Sequence, residues 1–482
     1  MTRWERGIAF LAPPAVIVFL LAAANQIQQS VYNVPNWGRL QKTFVLAAGL
    51  PLYYGKFSGP ALTTGYGPVS ALFYLPVTFL RDPDTVMPAA ALMAAFFFFV
   101  PAVFFFLSAG RPAGDSKFRW MFAVLLFTLF GFFSLILYSL KNAAFNVHVD
   151  APALGLTALA TVFLSTPREK STAALALSAL AAALAVWTKL VTLPILAALP
   201  LYVGLAFGKK TLGRYLICLA TAFAAVSATL VAAFGWSDLF FNTVTIFSHH
   251  PFKENGGWLL FLDKFLREEA MILPMLVPAM ILAKKDGASF WKRAWVLPAL
   301  AGIFLLPASY LGFAKLGGSR NNLSYTHYFL LLAAFISWGE LAEDRDWGSV
   351  VKKAAVVLVA ALTVGQAAYA FSDRFLLAPR QDHARDAYNY IRLHPGEAYF
   401  PTLPLVHWLA ERKFYHEAVA LADREIAGYS ADAGHLAAYM PRGMKIIAFP
   451  EGNDYMGWLH APGFGRRGED PGLPGFWVYR KA

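Results

Sequence analysis

Apolar stretches of membrane length recur along the chain, and they constrain its fold more than any other feature of the sequence. A helix of about 20 apolar residues crosses the hydrocarbon core of a bilayer. Only 15% of the residues are charged, whereas soluble domains carry about 25%. The sequence therefore predicts an α-helical polytopic membrane protein with about 11 transmembrane helices. The apolar runs cover residues 7–24, 87–109, 120–140, 151–166, 172–188, 190–207, 213–234, 270–283, 294–313, 327–342 and 354–371.

The two ends of the chain lead to different predictions. The first run follows Arg3 and Arg6 and is predicted to stay as a membrane anchor, with a cleaved signal peptide as the alternative. Residues 1–371 are predicted to form the membrane domain, and residues 372–482 a small soluble α/β domain. The predicted elements of this second domain are helices over 382–394 and 413–428 and strands over 397–400, 444–449 and 476–482.

Positive charge is concentrated in the membrane part of the chain. The formal net charge is +12, yet residues 372–482 hold 13 basic and 13 acidic residues, so the excess lies before them. Short loops rich in Lys and Arg face the cytoplasm. If residues 66–80 form an interfacial helix and not a twelfth span, 17 basic residues fall on the inner side. This predicts a cytoplasmic N-terminus, large outer loops at 25–86 and 235–269, an outer C-terminal domain, and no nucleic-acid partner.

The first outer loop contains more predicted structure than a simple linker between two spans needs. Residues 36–48 place apolar side chains at helical spacing with Arg39 and Lys42 between them, which predicts an amphipathic helix lying on the membrane. The glycines and prolines of the sequence that follows, SGPALTTGYGPVSALFYLP, are turn signals. The lone Cys218 lies in an apolar run, which excludes a disulfide framework and a cysteine metal site.

Four features of this layout resemble the GT-C-type membrane glycosyltransferases, a superfamily that includes the protein O-mannosyltransferases and the lipid A aminoarabinose transferase. The first is the large first outer loop with its surface helices. The others are the sequences YGPVSALFYLP (66–76), HVDAPALGLTALATVFL (148–164) and AVWTKLVTLPIL (185–196). The resemblance covers about residues 7–371.

The resemblance implies an inverting transfer of a sugar from a polyprenyl-phosphate donor to a lipid, glycan or protein acceptor. It places this reaction on the outer, periplasmic face of a bacterial-type inner membrane, with residues 36–80 as a lid over a groove that faces the membrane lipids. It implies that basic residues hold the donor phosphate. It also implies that a carboxylate in the first outer loop acts as base or orients the acceptor.

The chain departs from this family pattern in one respect. Residues 25–81 contain no Asp or Glu, and Asn36 stands where the acid is expected. An Asn side chain cannot act as a general base. Either Asp150 takes this role, or an acid from another loop does, or the protein is not a standard transferase. The second hypothesis is therefore a non-catalytic or altered protein of the same fold that binds lipid-linked glycans or acts as a partner subunit. A transporter ranks last, since no clear inverted repeat is visible.

The polar island at 141–152 provides the main candidate residues. Asp150 could orient or deprotonate an acceptor hydroxyl, or simply cap the helix that follows. His148 could pair with Asp150 or bind phosphate, or be a solvated loop residue. Lys189 and Arg320 are the main candidates for the donor phosphate, and the alternative for Lys189 is snorkelling to the interface.

The remaining candidates lie in outer loops or at span ends. His249 and His250 could ligate a divalent metal or a phosphate, or be two loop histidines that point apart. No cofactor is required by the sequence, and a divalent metal is the alternative left open. The residues predicted to line a substrate groove are Asn36, Tyr66, His249, His250, Asn322, Tyr325 and His327.

Overall fold

The structure is a computed structural model, and it is dominated by helices. It describes residues 3–56, 58–62, 65–109, 117–165, 171–343, 348–375, 381–461 and 463–481. The α-helices are α1 (Arg3–Gln28), α2 (Val34–Ala47), α3 (Val69–Phe73), α4 (Pro83–Ala109), α5 (Lys117–Ile136), α6 (Tyr138–Phe145), α7 (Asp150–Ser165), α8 (Thr172–Thr188), α9 (Ile195–Phe207), α10 (Lys209–Phe234), α11 (Trp236–Phe240), α12 (Ile246–His249), α13 (Trp258–Ile272), α14 (Val277–Asp286), α15 (Val296–Ala314), α16 (Ser324–Glu343), α17 (Gly348–Phe375), α18 (His383–Leu393), α19 (Pro404–Glu411), α20 (Ala418–Ile426), α21 (Ala433–Ala438) and α22 (Met456–Leu459). The strands are β1 (Ala398–Tyr399), β2 (Ile446–Pro450), β3 (Phe464–Asp470) and β4 (Leu473–Lys481).

The apolar runs of the sequence fold as helices. Among the described residues, six helical segments are long and apolar enough to cross a membrane. A seventh results if α5 and α6, which are bent by 102° at their junction, count as one span. Helices α7 and α8 are apolar but shorter. The chain is an integral membrane protein, and the number of about 11 spans stays a prediction.

Helix α7 packs between α4 and α8 in the helical bundle. Gly155 of α7 meets the backbone carbonyl of Phe97 on α4, and a Cβ at this position would overlap that oxygen. Small residues of this kind let two membrane helices approach closely. The phenylalanine run of α4 has both packed and exposed side chains. Phe98 is fully buried against Phe130 and Tyr328, while Phe96 is 59% exposed.

Helix α2 is buried, which corrects the prediction of a helix that rests on the membrane surface. Asn36 is fully buried and Lys42 is only 2% exposed. Helix α19 from the C-terminal part of the chain packs on α2, as do α3 and a short 3-10 helix at Leu75–Phe79. These two short elements stand where one interfacial helix was predicted. The polar side chains of Asn36, Gln41, Lys42 and Thr43 on α2 are therefore enclosed by protein.

The C-terminal part of the chain contains one mixed sheet in the order β1-β2-β4-β3. Strand β1 runs parallel to β2, and the other two pairs are antiparallel. Every residue of β2 is buried. The sequence predicts β1, β2, β4, α18 and α20, but it does not predict β3, whose FGRRGED sequence lacks apolar alternation.

Hydrogen bonds fasten the C-terminal part to the first outer loop. The backbone N–H of Ala61 donates to His416 Nδ1 at 2.8 Å, and the backbone N–H of Glu417 donates to the Ala61 carbonyl at 2.8 Å. Arg385 of α18 donates to Asp82 at 2.9 Å and also pairs with Asp84. The first outer loop is thus covered by residues that follow the last membrane helix in sequence.

Candidate functional site

Asp150 is the centre of a buried polar cluster. It is the first residue of α7, and its side chain is fully buried. Its Oδ1 accepts hydrogen bonds from Lys189 Nζ and from the Tyr325 hydroxyl, each at 2.7 Å. Its Oδ2 accepts from Asn321 Nδ2 at 2.8 Å and lies 2.7 Å from His148 Nδ1. Both carboxylate oxygens are therefore occupied, and Asp150 holds four neighbouring side chains together.

Lys189 reaches this cluster because α8 ends at the preceding residue. The backbone of Lys189 is extended, with φ −154° and ψ 124°, and its side chain is buried. Its ammonium also donates to Asn322 Oδ1 at 3.0 Å. Asn321 and Asn322 belong to a 3-10 helix at Arg320–Leu323, directly before α16. Three segments that are remote in sequence thus converge on one carboxylate.

His148 joins the cluster as a neutral side chain. Burial lowers the pKa of His148 to about 4, although the neighbouring Asp150 carboxylate opposes this shift. Its Nδ1 lies 2.7 Å from Asp150 Oδ2 and 3.2 Å from the backbone N of Asp150, and its Nε2 is 3.3 Å from Asn321 Nδ2. His148 is therefore a partner of Asp150 and carries no positive charge for a phosphate near neutral pH.

Tyr66 lies between two lysine ammonium groups. Lys42 Nζ is 5.1 Å and Lys189 Nζ is 5.7 Å from the centroid of its ring. Lys42 donates to Ser70 Oγ at 2.5 Å, and no carboxylate pairs with it among the described residues. Burial, with a smaller contribution from the charge of Arg39, lowers the pKa of Lys42 to about 7. An ammonium that is buried without an opposite charge attracts an anion.

Arg39 adds a further positive charge beside the Tyr66 region. It is half-buried, and its charge acts on Lys42, Tyr66, His148 and Lys189. In the part of the chain that the structure describes, Arg39 forms no ion pair. The sequence predicts Arg39 and Lys42 on a helix at the membrane surface, and it does not predict the position of Lys42 beside Tyr66. The sequence does contain one sign of an unneutralised positive charge here, because residues 25–81 hold no acid that could pair with Arg39 and Lys42.

Gly67 fixes the position of Tyr66 against α8. A Cβ at Gly67 would overlap the backbone carbonyl of Trp187, and neither backbone can give way easily. We expect Gly67→Ala to lower the free energy of unfolding by about 1–3 kcal/mol, as overpacking does. Thermal unfolding of the purified protein measures this effect. Gly213→Ala on α10, where a Cβ has open space, is the matched control and is expected to leave stability unchanged or slightly raised. Equal stability of the two variants would contradict the close approach of Gly67 to the Trp187 carbonyl.

A second buried polar cluster lies around His327. The Nδ1 atom of His327 is 3.2 Å from Glu268 Oε2, and its Nε2 is 3.3 Å from Glu269 Oε1. Ser139 Oγ donates to Glu268 Oε2 at 2.5 Å. Glu269 is only 1% exposed, and neither of its carboxylate oxygens accepts a hydrogen bond from a described residue. The sequence assigns Glu268 and Glu269 to the end of an outer loop and gives no sign of their burial.

The other predicted residues lie apart from Asp150. Arg320 stacks over Tyr138, 5.1 Å from its ring centroid. Asn36 donates to the carbonyl of Ser30 and to Asn146 Oδ1. His249 is exposed, and its Nδ1 lies 2.8 Å from the carbonyl of Thr245, the residue before α12.

His250 lies within hydrogen-bonding distance of two backbone carbonyls. Its Nδ1 is 3.2 Å from the carbonyl of Leu316, and its Nε2 is 2.9 Å from that of Asp423. These contacts join the second outer loop to α20. Among the described residues, no group of three or more His, Cys, Asp or Glu side chains could hold a metal ion.

Comparison with known proteins gives matches at the level of structure. No family model and no curated protein sequence matches the chain. The crystal structures of ArnT from Cupriavidus metallidurans, one bound to undecaprenyl phosphate and one in the apo state, superpose with a TM-score of 0.55 at 11% identity. Each match covers 97% of this chain and 98% of ArnT.

A second solved protein supports the same fold. The arabinofuranosyltransferase AftD from mycobacteria matches with a TM-score of 0.50 at 14% identity, over 100% of this chain and 40% of that protein. ArnT and AftD are GT-C-type membrane glycosyltransferases. The chain therefore has the GT-C fold, and the resemblance found in its sequence is confirmed at that level.

Proposed function

We propose that the protein is a membrane glycosyltransferase that moves a sugar from a polyprenyl-phosphate donor to a hydroxyl of a lipid, glycan or protein acceptor. The GT-C fold supports this reaction class, and a structural neighbour, ArnT, binds undecaprenyl phosphate. In the proposed reaction the acceptor oxygen bonds to the anomeric carbon, and the bond from that carbon to the phosphate oxygen breaks. The polyprenyl phosphate leaves with the electron pair.

The observation that carries the proposal is the excess of positive charge around Tyr66. Lys42 is buried without a carboxylate partner among the described residues, and Arg39 lies close to it. Lys189 approaches the same ring from the Asp150 cluster. A phosphate would receive charge-assisted hydrogen bonds from these groups and would neutralise them. In this proposal Arg39, Lys42 and Lys189 hold the donor phosphate.

Asp150 has a positioning role in this proposal. Its four hydrogen-bond donors occupy both oxygens, so the carboxylate orients Lys189 and Tyr325 toward the phosphate site. Arg320, whose guanidinium stacks on Tyr138, is given no role in this phosphate site. The catalytic role predicted for Asp150 and the phosphate role predicted for Arg320 stay predictions.

The proposed orientation follows from the charge of the loops. With eleven spans and a cytoplasmic N-terminus, the short basic loops face the cytoplasm. The Asp150 island, the first outer loop and residues 372–482 then lie on the outer face of the membrane. Chemical labelling of single cysteines introduced at exposed positions of these segments in intact cells tests this orientation.

Binding of undecaprenyl phosphate to the purified protein tests the proposed phosphate site. Phosphate binding needs the charged form of Lys42, and the charged fraction falls as pH rises through about 7. We therefore expect binding to be about 25-fold weaker at pH 8.5 than at pH 6.5, by the linkage between protonation and binding. Microscale thermophoresis in detergent measures this change.

Lys42→Arg is the matched control, because arginine stays charged across this range. Its binding of undecaprenyl phosphate should depend little on pH. Any pH dependence that remains in this variant comes from titration of the lipid phosphate itself. Absence of binding at pH 6.5, or equal pH dependence in the two proteins, would contradict the assignment of Lys42. Turnover of undecaprenyl-phosphate-linked arabinose to free undecaprenyl phosphate, in the presence of hydroxyl acceptors, tests the transfer itself.

A second candidate function is binding of lipid-linked glycans without transfer. The occupied oxygens of Asp150 favour it, as does the absence of an acid from residues 25–81. A binder predicts affinity for undecaprenyl phosphate with no turnover of its sugar conjugates. The turnover measurement therefore separates the two functions.

A further inference from the structure

Sugar transfer to a hydroxyl requires a group that accepts the hydroxyl proton. Residues 25–81 contain no carboxylate, and Asp150 already accepts four hydrogen bonds. Asp82 and Asp84 are exposed and pair with Arg385. Among the described residues, Arg385 thus pairs with the two carboxylates of the first outer loop, and the Asp150 carboxylate is held by its own cluster.

Glu417 brings a buried carboxylate to α2 from the C-terminal part of the chain. It is only 3% exposed and directly precedes α20. Its backbone N–H donates to the carbonyl of Ala61 at 2.8 Å, and the neighbouring His416 accepts from the Ala61 N–H. These bonds hold Glu417 over the first outer loop.

The side chain of Glu417 occupies the space beside Gly38 on α2. A Cβ at Gly38 would overlap Glu417 Oε1, so only glycine leaves room for the carboxylate. Gln41 and Lys42 follow at the i+3 and i+4 positions, which lie on the same face of a helix at about 5–6 Å. Glu417 therefore contacts the helix face that carries the proposed phosphate ligand Lys42.

Two further observations indicate that this face of α2 receives a ligand. Gln41 is fully buried, and neither polar atom of its amide has a hydrogen-bond partner among the described residues. An unpartnered buried amide is costly unless a ligand or water completes it. Burial, with contributions from carboxylates that include Asp150 and Glu417, raises the pKa of Tyr66 to about 12. Glu417 thus acts on the same phenol that Lys42 and Lys189 flank.

We propose that Glu417 is the proton acceptor of the transfer reaction and that Gln41 binds a hydroxyl of the sugar or acceptor beside it. This inference rests on the proposed function. The acceptor hydroxyl gives its proton to a Glu417 carboxylate oxygen while its oxygen bonds to the anomeric carbon. The bond from that carbon to phosphate breaks, and the phosphate on Lys42 keeps the electron pair. Glu417 then releases the proton to water.

Glu417→Gln tests this role with little change of shape. General-base catalysis contributes about 10²–10⁴-fold, so we expect turnover of undecaprenyl-phosphate-linked arabinose to fall at least about 100-fold. Binding of undecaprenyl phosphate should stay within about threefold of wild type, because Lys42 is untouched. Glu425→Gln on the same helix, where the carboxylate pairs with His460 at 2.8 Å, is the matched control and should keep wild-type turnover.

Gly38→Ala provides a second test that leaves Glu417 in the sequence. The added Cβ displaces only the end of a flexible side chain, so the protein should fold while its carboxylate moves. We expect a loss of turnover similar to that of Glu417→Gln, with no further loss in the double variant. Added formate should restore part of the turnover of Glu417→Ala, which a structural role of Glu417 does not predict.

The outcomes separate this inference from the proposed function. Turnover by wild type together with undiminished turnover by Glu417→Gln overturns the role of Glu417 and leaves the transferase proposal intact. Failure of wild type to turn over the donor in the presence of lipid, glycan and protein acceptors overturns both. Loss of undecaprenyl phosphate binding along with turnover in Glu417→Gln assigns Glu417 to the structure of the site and contradicts a role as proton acceptor.

Discussion

Replacement of Asp150 by alanine is expected to lower the free energy of unfolding by about 3–5 kcal/mol, because it leaves a buried charge without its partner. The substitution removes the acceptor of four hydrogen bonds. Among the described residues, Lys189 would keep only Asn322 as a side-chain hydrogen-bond partner, and the Tyr325 hydroxyl would lose its acceptor. Chemical denaturation of the detergent-solubilised protein, followed by tryptophan fluorescence, measures the change.

A double variant shows whether the charge of Lys189 is the cause. Asp150→Ala with Lys189→Met removes both charges, and such pairs often tolerate apolar replacement. We expect the double variant to be more stable than Asp150→Ala by about 2 kcal/mol, a coupling typical of directly contacting residues. Equal stability of the two variants would show that the Lys189–Asp150 ion pair does not determine the loss.

Lys42→Met is expected to weaken binding of undecaprenyl phosphate by about 10- to 150-fold, which corresponds to the 1.5–3 kcal/mol of a hydrogen bond to a charged group. The same substitution should leave stability unchanged or raised, because a buried ammonium without a carboxylate partner is replaced by an apolar chain. Binding isotherms and thermal unfolding report the two effects separately.

Lys413→Met is a suitable control for Lys42→Met. The side chain of Lys413 is 59% exposed and lies 3.9 Å from Glu411, so its removal should change neither binding nor stability appreciably. If Lys42→Met bound undecaprenyl phosphate as tightly as wild type, the phosphate would have to lie elsewhere. A large loss of stability would instead assign Lys42 to the packing of α2.

The sequence predicts the helical membrane fold and part of the candidate site. Asp150 at the start of α7, Lys189 after α8 and Tyr325 at the start of α16 are polar residues at the ends of apolar runs. The cost of isolated charges near hydrocarbon makes such residues visible without a structure. The structure joins these three residues, although they are remote in sequence.

The remaining residues of the site could not be predicted from local patterns. Lys42 lies on a helix whose spacing favours a membrane surface, but α2 is packed against α3 and against α19, which comes much later in the chain. Glu417 sits in a segment that reads as an ordinary soluble helix. Its tertiary contacts with Gly38 and Ala61 assign it to the first outer loop. Contacts of this kind depend on how separate segments dock, which periodicity does not encode.

The Glu268–His327–Glu269 contact has a consequence for biosynthesis. The two carboxylates emerge from the ribosome with α13, whereas the imidazole between them arrives only with α16. An ionised carboxylate that is buried without a partner is costly. The contacts of Glu268 and Glu269 with a histidine can therefore form only once α16 has been synthesised. The late arrival of one histidine then sets the order in which these helices can assemble.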